Sequence, residues 1–245
     1  SVDGNNDGSL LDAYRYARDA AALDFLGITD HTDAVEDPYA WWRSQKMADL
    51  FQKKNSFVSF YGYERSVEYP NGHRNVFFAK RGARILPIGA FEQVGVEGSG
   101  GLYWYLRRAN GFSIPHTTGR TSGTDWRDYD PNVESLLEIF QGMRDSYEYP
   151  EAPRPKRLWS PWLDPSKPVP RASSSENSPS FRRLGFARNA LEKGYKLGFI
   201  ASSDHISTHI SYACLIAERL TTESLVEDIM ARRAYAATDN IILDV

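Results

Sequence analysis

Cysteine is nearly absent. Cys214 is the only one in 245 residues, so no internal disulfide can form. Its surroundings, Ser211-Tyr212-Ala213-Cys214-Leu215-Ile216-Ala217, suit a small buried hydrophobe better than a nucleophile. Long apolar runs are missing too. A membrane-spanning helix needs about 18 or more consecutive apolar residues, and no stretch of the chain supplies them. No block of lysine or arginine occurs and the net charge is −3, which argues against a protein that grips a nucleic-acid backbone. The opening Ser1-Val2-Asp3-Gly4 is polar and has no signal-peptide core. Histidine is scarce, with five residues, and that scarcity makes their positions informative.

What is present is an ordinary globular composition, 41% hydrophobic and 25% charged. Helix-like and strand-like segments alternate. Helical spacing marks 9–22, with Ser9 as its cap, then 39–53, 102–109, 181–193 closed by Gly194, and 222–232. Short apolar runs predict strands over 25–29, 57–63, 75–79, 111–115, 136–140, 197–201, 212–217 and 241–245. Such alternation predicts an α/β fold, a mostly parallel sheet under helices, with a closed barrel as the economical form at this length. The chain reads as one domain over 1–245. The stretch from Tyr149 to Ser180 interrupts it, holding eight of the thirteen prolines, and reads as an inserted lid or binding loop.

The histidines fall where chemistry is expected. His31 and His205 each follow an aspartate, Asp30 and Asp204, at a strand end. His116 ends the 111–115 strand, His73 stands in the turn before 75–79, and His209 lies four residues after His205. Glu64 closes one strand and Glu138 lies inside another. In a parallel barrel all strand C-termini open on one face, so single residues far apart in sequence converge there. Imidazole and carboxylate together suit Zn, Mn or Fe. The expected ligands are His31, Glu64, His73, His116, Asp204 and His205, with Asp204 and His205 also moving protons. Arg74, Arg120 and His209 are expected to meet an anionic substrate.

These residues carry a family resemblance. The stretch from Asp12 to Asp33, Gly62-Tyr63-Glu64 through Gly72-His73-Arg74-Asn75, Ile114-Pro115-His116, Ala201-Ser202-Ser203-Asp204-His205 and Tyr235-Ala236-Ala237-Thr238 resemble the PHP (polymerase and histidinol phosphatase) superfamily. Within it they are similar to the branch called domain of unknown function 3604. The resemblance implies a distorted (β/α)7 TIM-like barrel, two or three divalent cations, and hydrolysis of a small phosphorylated substrate. It places the second-motif histidine on His31, the bridging glutamate on Glu64, later histidines on His73 and His116, and the terminal aspartate on Asp204, and it leaves the last ligand between His205 and His209. The family opens with a His-x-His strand and a Ser-x-Asp-Gly turn. This sequence begins at the turn, Ser1-Val2-Asp3-Gly4. Either that strand lies outside these residues, or its loss leaves a weakened or non-catalytic binding module.

Overall fold

The structure, a computed structural model, describes residues 8–141, 147–149, 157–158, 169–170, 181–204 and 211–243. Its frame is a four-stranded sheet in the order β1 (Phe25–Ile28), β2 (Val58–Arg65), β3 (Arg74–Phe78) and β4 (Gly111–Pro115). Strands β1 and β2 are parallel, while β3 runs antiparallel to both β2 and β4. The link between Arg65 and Arg74 forces this. A parallel return needs a crossover of about a dozen residues or more, and this link is shorter. Further pairs are β5 (Leu136–Gln141) with β8 (Gly198–Ser202), parallel, and β9 (Tyr212–Leu215) with β10 (Ala234–Ala237), antiparallel. A short antiparallel pair joins β6 (Arg157–Leu158) and β7 (Val169–Pro170). The fold is therefore mixed α/β rather than mostly parallel, and the described strands do not close a barrel.

Helices cover the sheet. They are α1 (Leu10–Arg15, continued by a wider turn to Ala20), α2 (Thr32–Val35), α3 (Pro38–Phe51), α4 (Ala90–Gln93), α5 (Gly100–Ala109), α6 (Ala187–Glu192) and α7 (Thr222–Met230). Ser9 caps α1 by accepting from the Asp12 N–H, as expected from its hydroxyl. The predicted 181–193 helix is shorter, because Arg183–Gly185 forms a separate 3-10 turn before α6. The predicted strand over 241–245 is displaced. The strand lies earlier, at Ala234–Ala237, and Ile241, Ile242 and Leu243 are exposed. Most of 149–180 lies outside the described residues, as do His205 and His209.

Period-two alternation divides the four-stranded sheet into two faces. One face carries Tyr63, Val76 and Phe78 against Trp41, Leu102, Tyr103 and Leu106 of the helices. The other carries Val58, Phe60, Phe112 and Ile114 toward Leu136 of β5, Ile200 of β8 and Leu225 and Ile229 of α7. Phe77 lies across this second face, and its ring occupies the space above Gly27 and Gly62. A Cβ there would come to 2.4 Å and 2.7 Å from the ring, so only glycine fits.

Candidate metal centre

The same alternation selects the residues that meet. Glu64 pairs across the sheet with Asn75, and Asn75 with Ile114. Side chains two positions along from Asn75 and Ile114 share their face, and these are His73 and His116. His73 precedes its strand rather than ending it. Because β3 is antiparallel, its start lies beside the ends of β2 and β4, so all three residues arrive at one rim.

One ligand atom from each of Glu64, His73 and His116 lies within 4.8 Å of the others. His73 Nδ1 is 2.6 Å from Glu64 Oε1, and His116 Nε2 is 3.5 Å from Glu64 Oε2. His31 joins from β1. It bridges to Glu64 through the backbone, and its Nε2 stands 3.7 Å from Glu64 Oε2. The Glu64 N–H donates to the Asp30 carbonyl and the Thr32 hydroxyl donates to the Glu64 carbonyl, which locks the two strand ends together. Gly72, at φ +86° and tight against the Gly123 backbone, makes the turn that delivers His73. The His73 N–H then donates to the Ser122 carbonyl.

The electrostatics are those of a buried ion pair. Burial works against the Glu64 charge, yet His116 and His73 beside it hold the carboxyl well below the ordinary range. Burial likewise opposes charging of His116, but Glu64, and less strongly Glu138 and Asp204, push its pKa up to about 9. His116 Nδ1 lies 2.6 Å from the Thr117 hydroxyl and 3.0 Å from Gln141 Nε2, which fixes the ring. The Nε2 atoms of both His73 and His116 are buried and without a hydrogen bond. That state and the N/O donor set fit a divalent cation. The sequence reading passed over Thr117, Gln141 and Glu68. Glu68 brings a carboxylate oxygen to 3.7 Å from His73 Nε2. Nothing in their spacing marks them, since each acts through a histidine rather than through a motif.

Asp204 follows β8 in the left-handed region, at φ +57°. It lines, with Glu64, His116 and Glu138, a cavity of 1080 Å³ that Phe60 and Phe77 also line. Arg120 is half-buried in the loop after His116 and pairs through its backbone with Phe181. Arg74 does not fit the substrate role expected of it. It lies on the opposite face from Glu64, 2% exposed, with Nε donating to Glu134 Oε2 at 2.8 Å. Its other donors go to the carbonyls of Asn71 and Gly72 and to the Tyr103 hydroxyl. Being one residue away from His73 along a strand puts it on the wrong side.

No family model matches the chain. A curated relative, an uncharacterized protein of Chlamydia pneumoniae, is 24% identical over 229 residues, covering 91% of this chain and 36% of its own length. Among solved structures, a two-domain protein from Bacteroides vulgatus containing a predicted PHP-like metal-dependent phosphoesterase superposes with a TM-score of 0.54 at 14% identity. That match covers 95% of this chain and 61% of the neighbour. The chain thus spans about a third of the curated relative and about three-fifths of the structural one. It shares the neighbour's fold, a mixed α/β fold.

Proposed function

We propose that this chain is a metal-dependent hydrolase of phosphoesters, built on a distorted (β/α)7 barrel of the PHP type and belonging to its domain of unknown function 3604 branch. The carrying observation is the convergence of Glu64, His73 and His116, with two buried imidazole nitrogens lacking a hydrogen bond. Leaving such a group unsatisfied costs about 1–3 kcal/mol each, a cost that a bound cation removes. The phosphoesterase description of the structural neighbour supports the same reading.

In this reading His31, Glu64, His73, His116 and Asp204 would hold two or three cations, Zn, Mn or Fe. His205 or His209 completes the set. When bound, such cations withdraw charge from a phosphoryl group and lower the pKa of water. The chain's own residues do the remaining work. Thr117 and Gln141 hold His116 in one orientation. Asp204 and His205 take up and return the proton that hydrolysis moves. Arg120 and His209 meet the anionic group of a small phosphorylated substrate.

The test is elemental analysis of chain purified without chelator, paired with a panel of phosphomonoesters and diesters. The expected result is bound metal and turnover that EDTA abolishes and Mn²⁺ or Zn²⁺ restores. Metal-free protein whose activity ignores chelator would overturn the reading. Metal bound tightly without turnover on any phosphoester would favour a non-catalytic binding module instead.

A further inference from the structure

One buried carboxyl stays outside the group just described. Glu138 lies on β5 two residues after Leu136, so it faces the same interior as Leu136 and Ile200. The β5–β8 register shifts between Glu138 and Phe140, which breaks the ladder beside it. Glu138 is 1% exposed, and its Oε1 is buried without a hydrogen-bond partner. It lines the same cavity as Glu64, His116 and Asp204. Ser202 and Gln141 stand beside its carboxyl, and among the described residues no arginine or lysine is a leading influence on it. Its electrostatic neighbours are His116 and Asp204, and the second of these carries the same charge sign.

A carboxyl placed this way is expensive. Burying one without full hydrogen bonding is unfavourable, and setting it against a second acid adds repulsion. Structural buried acids in this chain are treated differently. Glu134 is 0% exposed and accepts from Arg74, Tyr103 and Ser113. Glu138 has only Ser202 and Gln141 beside it, its Oε1 is left without a partner, and the residue lines a cavity. Among the described residues, the tight group of possible ligands comprises Glu64, His73 and His116, and Glu138 lies outside it.

We propose that Glu138 is the ligand of a second divalent cation, held on the Asp204 side of His116, and that it decides whether the site takes more than one ion. This rests on the metal-hydrolase reading above. Carboxylate oxygens from Glu138 and Asp204 make the position harder than the histidine-rich one, favouring Mn²⁺ or Mg²⁺ over Zn²⁺.

The experiment is calorimetric titration of the chelator-treated 245-residue chain with Mn²⁺ and with Zn²⁺, checked by elemental analysis after gel filtration. Unsubstituted protein is expected to bind at least two Mn²⁺ per chain. Glu138→Gln is expected to bind one fewer, while the tight Zn²⁺ site on Glu64, His73 and His116 persists, because none of its three ligands is changed. Glu138→Asp, which keeps the charge but shortens the arm, should retain the count with second-site affinity weakened by about tenfold or more, the scale of a lost ligand contact. That variant carries the test if Glu138→Gln does not fold, as judged by circular dichroism. Unchanged Mn²⁺ count and affinity in the variants would overturn the assignment and leave the hydrolase reading standing. A single Mn²⁺ per unsubstituted chain would overturn the assignment and reduce the hydrolase reading to one ion. No binding of either ion would remove both.

Discussion

Replacing Arg74 with methionine separates its two readings. A substrate-binding arginine at a cavity mouth can be removed at little cost to folding. The structure instead places Arg74 at 2% exposure against Glu134 at 0%, joined at 2.8 Å. Removing one partner of such a pair strands the other charge and costs about 3–5 kcal/mol. The guanidinium also donates to the carbonyls of Asn71 and Gly72, in the turn that presents His73. Those bonds add stability of about 1 kcal/mol each, partly overlapping the first term. A loss of about 4 kcal/mol is therefore expected, and for a chain of this size it lowers the melting temperature by roughly 8–16 °C. Urea unfolding followed by circular dichroism reads it directly. The double variant Arg74→Met with Glu134→Leu should recover part of the loss, because no unpaired charge remains buried. The reasoning fails if Arg74→Met unfolds within about 1 kcal/mol of the parent, the range of surface substitutions.

Other consequences are more local. Gly27→Ala places a methyl 2.4 Å from the Phe77 ring and should cost about 1–3 kcal/mol, partly rescued by Phe77→Leu; equal melting temperatures for parent and Gly27→Ala would contradict the packing. In the metal-free chain, the His116 pKa stands at about 9, above its ordinary value. The stabilisation this represents is complete at acidic to neutral pH, below about 6.5 where the unfolded imidazole is also charged, and is lost as pH rises through about 9. His116→Gln should flatten that segment of a stability–pH curve measured by denaturant, and an identical slope in both proteins would count against the ion pair. Thr117→Val leaves His116 in place but removes a hydroxyl 2.6 Å from its Nδ1. Zn²⁺ affinity should fall by about 10-fold or more, as for other supports of ligating imidazoles, with the fold retained; unaltered affinity would show that the contact does not orient the ring.

The sequence by itself determined where the chemistry-bearing residues stand along the chain. Short apolar runs predicted β1, β2, β4, β5, β8 and β9 close to where they form, because each run must be buried and each is bounded by turn residues. His31, Glu64 and His116 were legible as ends of such runs. Even the antiparallel course of β3 was implicit in the brevity of its link to β2, although the expected parallel sheet passed over it. Tertiary structure alone decided which of these residues face one another. Arg74 and His73 are neighbours in sequence and in charge type, yet strand alternation sends one to the helix layer and the other to Glu64 and His116. The hydrogen-bonding support of His116 by Gln141 joins residues distant in the chain, and the missing partner of Glu138 is visible only once its surroundings are packed. Local pattern carries period and burial. Which side chains meet depends on the relative direction and register of strands, and those are set by pairings that no local pattern encodes.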